Sequence, residues 1–250
     1  ISPTKRQRKH VTKVNNNELH TKKSKITNTR ISINNKNISR QPSNKNKEEN
    51  KEKNYSFNFT TQLTNNLKFT KHLQNKSNIC LEIGCFEGRG TNVIYNFLGK
   101  EAGSKIYCID PFEDYTEHLS FMNYTGQYKT FMKNINDFKD KVIILRGKSQ
   151  ELINTINDSF DFVYVDGDHH SHATYIDCKY SFLKMKKNGI MIIDDYLWDP
   201  LKNAGINRNT KWDDKYWLDI PQAGIDRFIG EFWDKMIILK KKYQVVIRKL

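Results

Sequence analysis

The stretch Ile79–Thr91, which reads ICLEIGCFEGRGT, limits the possible folds of this chain most strongly. A short apolar run stops at Gly84, two more glycines follow, and apolar residues then recur at helical spacing. This order predicts a buried strand, a glycine turn and a helix, because glycine permits the sharp turn of the backbone. Open α/β sheets bind ligands at the carboxyl ends of their strands, where helix amino termini present free N–H groups. We therefore expect a ligand at this turn, beside Gly84, Cys85, Gly88 and Thr91.

Glu82 is the acid that directly precedes the first glycine. A carboxylate buried at this position needs a partner. A cationic group of the ligand would supply one, and so would neighbouring backbone N–H groups, and the sequence leaves both open. The glycine spacing, Gly84-x-x-x-Gly88-x-Gly90, differs from the G-x-G-x-x-G of dinucleotide-binding enzymes.

The positive charge of the chain is concentrated in its first part. Residues 1–53 hold 15 Lys/Arg and 4 Asp/Glu (net +11), and the remaining residues hold 27 and 24 (net +3), which gives the total of +14. Residues 1–54 are rich in Asn, Lys, Ser and Thr, and such a segment buries too little apolar area to offset its ordering entropy. We therefore predict a disordered basic tail at 1–54 and a folded domain at 55–250. The cluster Lys5–Lys9 could bind an anionic polymer or serve as a nuclear address, but no aromatic residues interleave for base stacking, which favours a solvated linker.

The cysteines bear on the cellular compartment. None of the four forms a C-x-x-C pair, which argues against a zinc site, and three lie in or beside predicted buried strands. Free buried thiols fit a reducing compartment, and no apolar run is long enough to span a membrane, so we expect a cytoplasmic protein. The first residue, Ile1, indicates a fragment or a processed form, and the Asn/Lys bias favours an AT-rich genome such as that of a virus or a protist.

The remaining elements follow a β–α order. Buried strands after the first are predicted at Lys105–Ile109, Val142–Leu145, Phe160–Val165 and Ile190–Ile193, and closing strands at Met236–Leu239 and Gln244–Ile247. Helices are predicted at Phe57–Leu73, Asn92–Leu98, Ala173–Met185 and Gly224–Trp233. The connection between the two closing strands is too short for a parallel pair, so that pair is predicted to be antiparallel. The segment Glu113–Phe138 could line a substrate pocket, but aromatic residues at helical spacing more often belong to the core. The polar segment Leu197–Asp219 is typical of a loop that closes over a pocket, and the alternative is a surface excursion packed by its own aromatics.

Two polar residues follow strands two and three. Asp110 ends the second strand, 26 residues after Gly84. In a doubly wound sheet an acid there reaches a ribose hydroxyl pair, whereas the simpler interpretation is a cap of the turn before Pro111. The glycine turn upstream favours the ribose. Ser149 is predicted to be the N-cap of a short helix after strand three.

Acidic residues follow strands four and five. Asp166 ends the fourth strand and Asp194-Asp195 end the fifth, and because parallel neighbours end at one edge, the three carboxylates should converge beside the glycine turn. Like charges repel unless a cation lies between them, and a hard divalent cation suits oxygen ligands. An Asp-Asp pair is also common in ordinary strand-end turns. His169 and His170 could be metal ligands, a general base or loop residues.

Five motifs in this order resemble those of one family: LEIGCFEGRGT, YCIDPF, FDFVYVDGDHH, GIMIIDDY and the final PQAGIDRFIGEFW with YQVVIRK. The chain is similar to class I S-adenosylmethionine-dependent methyltransferases, in particular to the methyltransferase domain 24 family, which includes macrocin-type and cephalosporin-biosynthesis-type enzymes. The resemblance covers Asn78–Leu250. It implies a Rossmann-like α/β sheet of seven strands, mostly parallel with the last strand antiparallel, and helices on both faces.

The resemblance also implies roles for individual residues. Glu82 and Gly84 would border the methionine end of S-adenosylmethionine, Asp110 would bind its ribose, and Ser149 would lie near its adenine. Metal-dependent sugar O-methyltransferases of this group hold Mg²⁺ with an acid after strand four and an acidic pair after strand five.

Those positions match Asp166, Asp194 and Asp195, and Asp166 would also lie at the cofactor and the reacting atoms. A histidine general base found in some relatives matches His169. After Gly84 the glycine loop has Gly88 in place of a tighter G-x-G, and the amino-terminal oligomerisation segments of the sugar enzymes are not evident.

The leading hypothesis is therefore Mg²⁺-assisted O-methylation of a sugar or another small hydroxylated molecule, by a protein that could be a homo-oligomer. One alternative is a nucleic-acid methyltransferase anchored by the basic tail. The nearly balanced charge of the domain and the lack of an N-P-P-Y-like motif make nucleic acid an unfavoured partner. The other alternative is a non-catalytic cofactor-binding scaffold, which would not need converging carboxylates.

Overall fold

A computed structural model describes residues 53–56, 58, 60–112, 126–199 and 219–250. Their strands form one seven-stranded sheet in the order β3-β2-β1-β4-β5-β7-β6. The strands are β1 (Ile79–Ile83), β2 (Lys105–Asp110), β3 (Val142–Arg146), β4 (Phe160–Val165), β5 (Met185–Ile193), β6 (Met236–Lys241) and β7 (Val245–Lys249). The first five strands pair in parallel, and β7 runs antiparallel to both β5 and β6. The Rossmann-like fold predicted from the sequence is confirmed.

Six α-helices are present among the described residues. They are α1 (Thr61–Asn66), α2 (Arg89–Ile94), α3 (Gln127–Asn134), α4 (Ser149–Leu152), α5 (Ser171–Leu183) and α6 (Pro221–Phe232). The helix predicted at Phe57–Leu73 is α-helical over only six residues, those of α1, and continues as a 3₁₀ helix from Leu67 to Leu73. The second helix begins at Arg89, three residues earlier than predicted, because Gly88 is its N-cap and has a left-handed backbone.

The alternation of side chains along the strands places a core on each face of the sheet. One core joins β1, β4 and β5 to α5 and α6, with Val163, Phe182 and Phe228 fully buried or nearly so. The other joins the same strands to α1 and α3, with Leu63 and Phe131 at its centre. Tyr164 and Glu82 point towards this second core, so their polar groups lie under the amino-terminal helices.

Several predictions fall outside the described residues. These concern residues 1–52 of the tail, residues 113–125 of the aromatic segment and residues 200–218 of the polar loop. At the predicted boundary, the Asn54 N–H donates to Asn134 Oδ1 (3.1 Å) and Asn134 Nδ2 donates to the Asn54 carbonyl (2.8 Å). The division at residues 54 and 55 stays a prediction. Within the described ranges, no helix combines the length and apolar character that crossing a membrane requires.

Candidate active site

The glycine turn after β1 brings the end of this strand against the end of β4. Gly84 has φ +81°, and a Cβ atom at this position would lie 1.9 Å from the carbonyl oxygen of Asp166. Its N–H donates to the Ile109 carbonyl on β2 (3.0 Å). Gly88 has φ +79°, and its Cβ would meet the ring of Phe131 at 3.0 Å. Both glycines are thus explained by the left-handed backbone and by close packing.

Glu82 lies beneath this turn and not at its surface. Its side chain is 1% exposed. One carboxyl oxygen accepts a hydrogen bond from the Thr91 hydroxyl, and the other lies so close to Gly90 that a Cβ there would be 2.2 Å away. Burial raises the pKa of Glu82 to about 8, so the carboxyl is mostly protonated at neutral pH. Among the described residues its side-chain partners are this hydroxyl, nine residues further along the chain, and the Cys108 thiol, whose sulfur lies 3.8 Å from the same oxygen. A cationic group of the ligand as a further partner stays a prediction.

Cys85 and Asp110 join the turn to the end of β2. The Cys85 thiol lies 3.7 Å from the carbonyl oxygens of Glu82 and Ile109. Asp110 Oδ2 accepts the N–H groups of Cys85 (2.8 Å) and Phe86 (2.9 Å), and its Oδ1 accepts that of Phe112 (2.7 Å). The bond from Phe112 is the turn cap that the sequence offered as the simpler interpretation. A carboxylate has about four acceptor positions, so Asp110 keeps one for a ligand hydroxyl.

Ser149 is the first residue of α4 and not its N-cap, which is Lys148. Its hydroxyl donates to Asp177 Oδ1 on α5 at 2.5 Å, so the predicted capping role is wrong. Asp177 is buried, and burial raises its pKa to about 7. The serine therefore joins two helices, and its oxygen keeps an acceptor position for a nearby ligand.

Three side chains converge where β4 and β5 end. Ligand atoms of Asp166, His169 and Asp195 all lie within 4.8 Å of one another. His169 Nε2 and Asp195 Oδ2 form a hydrogen bond of 2.7 Å, and the Tyr243 hydroxyl donates to Asp195 Oδ1 at 2.7 Å. The His169 ring also packs on Trp198, with ring centroids 4.7 Å apart. These contacts hold Asp195 in the left-handed region, at φ +57°.

Asp194 lies beside this group and lines the same small pocket, but its carboxylate bonds to other partners. The Tyr164 hydroxyl lies 2.5 Å from Asp194 Oδ2 and 2.9 Å from Asp166 Oδ2. Gln244 Nε2 donates to the same oxygen of Asp194 (2.6 Å), and the Asp195 N–H donates to Oδ1 (2.8 Å). The three predicted acids do converge. The residue that completes the cluster of possible ligands, however, is His169 in place of Asp194.

The electrostatics of this cluster favour a cation. Burial, and then the charges of Asp194 and Asp195, raise the pKa of Asp166 well above its usual range. Burial and Asp195 raise that of Asp194 to about 6. In the described part of the chain no Lys or Arg forms an ion pair with any of these three acids. A pocket of about 10 Å³ lies between them, room for one particle the size of a water molecule.

His170 and Asp168, the other polar residues of this loop, pair with each other. His170 Nδ1 contacts Asp168 Oδ1, and half of the histidine side chain is exposed. His170 is not part of the cluster of possible ligands. Of the two histidines, His169 is therefore the one that the fold places at the acids.

A family model described as a methyltransferase domain, the domain 24 family that the motifs resemble, matches residues 81–196. The match extends from β1 to the residue after the acidic pair, so it includes the glycine turn and all the converging acids. Residues 81–196 belong to this methyltransferase family. Their assignment to class I S-adenosylmethionine-dependent methyltransferases is thereby confirmed.

Solved structures share the fold of this methyltransferase domain. The O-methyltransferase from Bacillus cereus in complex with SAH has 15% sequence identity and a TM-score of 0.53, and the match covers 78% of this chain and 84% of that chain. A protein assigned as an O-methyltransferase from Klebsiella pneumoniae has 11% identity and a TM-score of 0.53, with 78% and 83% covered. A protein assigned as an rRNA methylase from Clostridium thermocellum has 12% identity and a TM-score of 0.52, with 76% and 96% covered. At these identities the likeness concerns the fold alone.

Proposed function

We propose that this domain transfers a methyl group from S-adenosylmethionine to a hydroxyl of a small molecule, with assistance from a divalent cation such as Mg²⁺. The observation that carries the proposal is the convergence of Asp166, His169 and Asp195 beside the glycine turn. Neighbours of the same fold include O-methyltransferases, one of them in complex with SAH. The described residues add no observation in favour of a nucleic-acid methyltransferase or of a non-catalytic scaffold.

The residues around the turn fit the cofactor in part. Asp110 keeps one acceptor position for a ribose hydroxyl, and Ser149 keeps one for an adenine amine. Glu82 fits the methionine end poorly, because it is buried under the turn and its pKa is raised to about 8. Its role is to join β1 to α2 through Thr91, which fixes the turn itself.

The acidic cluster fits a hard cation. Carboxylate oxygens of Asp166 and Asp195 are the donors that Mg²⁺ prefers. When bound, S-adenosylmethionine supplies an electrophilic methyl group, and a divalent cation lowers the pKa of an acceptor hydroxyl. The imidazole of His169 would accept the hydroxyl proton, and its contacts with Asp195 and the Trp198 ring support this role. Vicinal hydroxyls, as in sugars, are the acceptors that suit such a site best.

Calorimetric titration of the full chain tests the proposal. We expect heat on addition of S-adenosylmethionine and, separately, of Mg²⁺. The Mg²⁺ heat should be lost in Asp195→Ala and kept in Asp234→Ala, a matched control that removes an exposed carboxylate outside both the cluster and the pocket. Methyl transfer to a panel of sugars should stop on addition of EDTA and resume with excess Mg²⁺.

Each outcome has a separate meaning. A chain that binds the cofactor but gives no Mg²⁺ heat would remove the cation from the proposal and leave His169 as the base. A chain that binds no S-adenosylmethionine would overturn the proposed activity. Equal Mg²⁺ heats in the two alanine variants would show that the cation binds outside the predicted cluster.

A further inference from the structure

A line of buried hydrogen bonds connects the carboxyl-terminal strands to the acidic pair. Lys240 Nζ donates to Asn66 Oδ1 (2.6 Å), and Asn66 Nδ2 donates to Gln244 Oε1 (2.6 Å). Gln244 Nε2 then donates to Asp194 Oδ2 (2.6 Å). Asn66 and Gln244 are fully buried, at 0% exposure. The line joins the end of α1, the edge strand β6 and the start of β7 to the candidate cation site.

The line has a direction, which the lysine sets. An ammonium group can only donate, so the Asn66 amide must turn its oxygen towards Lys240 and its NH₂ group towards Gln244. The Gln244 amide must then turn its own oxygen towards Asn66. Its NH₂ group is left facing Asp194, where a carboxylate needs a donor. A reversed Gln244 amide would place its oxygen against that carboxylate, at a cost that burial increases.

Asp194 in turn fixes the backbone of Asp195. Its Oδ1 accepts the Asp195 N–H at 2.8 Å, and Asp195 has the strained φ of +57°. The side chain of Asp195 is the one that lies in the cluster with Asp166 and His169. Rotation of the Asp194 carboxylate would therefore release the peptide that aims Asp195 into the site.

We propose that Lys240, Asn66 and Gln244 are positioning residues that orient Asp194 and, through it, the cation ligand Asp195. None of the three touches the cluster of possible ligands itself. This inference rests on the proposed function for its cation, but the hydrogen-bond line stands on the contacts among the described residues. Groups that support metal ligands in this way commonly contribute tenfold to a hundredfold to metal affinity.

The sharpest test is Asn66→Asp, which keeps the shape and the contact with Lys240 but removes the donor to Gln244. The Gln244 amide must then reverse and turn its oxygen towards Asp194. Mn²⁺ alone is titrated into the full chain and followed by its electron paramagnetic resonance signal. We expect Mn²⁺ affinity to fall about tenfold to a hundredfold. Asn75→Asp is the matched control, because Asn75 is exposed at the amino end of β1 and should leave the affinity unchanged.

A second pair of variants keeps the test decisive if Asn66→Asp fails to fold. Lys240→Met removes the group that sets the direction, and Lys242→Met removes a neighbouring exposed lysine. We expect Lys240→Met to bind Mn²⁺ several-fold more weakly than the wild type and Lys242→Met to bind it with unchanged affinity. Full Mn²⁺ affinity in both Asn66→Asp and Lys240→Met would overturn the proposal.

If the wild-type chain binds no Mn²⁺, cation binding is removed from the proposed function. The hydrogen-bond line is then tested by a different measurement. The melting temperatures of Lys240→Met, Gln244→Met and the double variant are then compared. If the line is continuous, the double variant should lose less than the sum of the two single losses, because each break disables the same line. Additive losses would overturn it.

Discussion

Replacement of Glu82 by glutamine should stabilise the domain, and the gain should depend on pH. The carboxyl is 1% exposed, its hydrogen bond comes from Thr91, and burial raises its pKa from the usual 4.5 to about 8. Glutamine has the same shape, still accepts the Thr91 hydroxyl through its oxygen, and never ionises. The substitution therefore removes the cost of the buried charge and leaves the packing in place.

The sign follows from linkage between protonation and folding. A carboxyl whose pKa is raised in the fold binds a proton more tightly there than in the unfolded chain, so wild-type stability falls as pH rises from 4.5 to about 8. At roughly 1.4 kcal/mol per pH unit, this difference has an upper limit of about 5 kcal/mol. We expect Glu82→Gln to match the wild type within about 1 kcal/mol at pH 5 and to exceed it by about 2–5 kcal/mol at pH 8.5.

Urea unfolding at several pH values between 5 and 9 measures the effect. The matched control is Glu101→Gln, which makes the same substitution at a carboxyl that is exposed at the surface. A difference between Glu82→Gln and the wild type that stays constant over this range would refute the reasoning. It would mean that the Glu82 carboxyl titrates in the fold as it does in the unfolded chain.

Three further predictions follow from the same contacts. Gly84→Ala should cost about 2–5 kcal/mol in urea unfolding, because the left-handed backbone and the contact with the Asp166 carbonyl both oppose a Cβ. Gly126→Ala, at a similar φ of +77° and with no described atom within 4 Å of the added Cβ, should cost only about 1–2 kcal/mol. Tyr164→Phe should cost about 1–3 kcal/mol by the same assay, because it removes the hydroxyl between the half-buried carboxyl of Asp166 and the buried carboxyl of Asp194; no loss would show that these carboxyls find other partners. All four cysteines are free and buried, and burial raises their pKa values, so Ellman's reagent at pH 8 should modify them only after denaturation; a rapid reaction in the native state would contradict this.

Local patterns in the sequence were sufficient to predict most of the fold. Buried strands such as Phe160–Val165 are short apolar runs that end at polar turns, and the structure has this strand with the same bounds. The glycine turn was predicted because left-handed backbone at Gly84 and Gly88 requires this residue type. Helix bounds were less accurate, since α5 begins at Ser171, two residues before the predicted start.

The site was predictable in its position and not in its pairings. Strand ends of a parallel sheet meet at one edge, so convergence of Asp166 and Asp195 followed from the order of the elements. The partners of the acids are distant in sequence and carry no local signal: Asp177 takes the hydroxyl of Ser149 from 28 residues away, and Gln244 reaches Asp194 over 50 residues. Only the packing of α5 on α4 and of β7 beside β5 brings these groups together.

The position of β7 also has a consequence for how the protein matures during synthesis. All the acids of the cluster have been translated two residues after the end of β5, yet Tyr243 and Gln244, which hold Asp195 and Asp194, come some fifty residues later. A nascent chain that ends before β7 would expose β5 as an unpaired strand edge, a template for aggregation, next to an acidic pair without its supports. Insertion of β7 between β5 and β6 closes that edge and completes the site in the same event. A ribosome-bound chain would therefore gain its resistance to aggregation and its competence to bind a cation together.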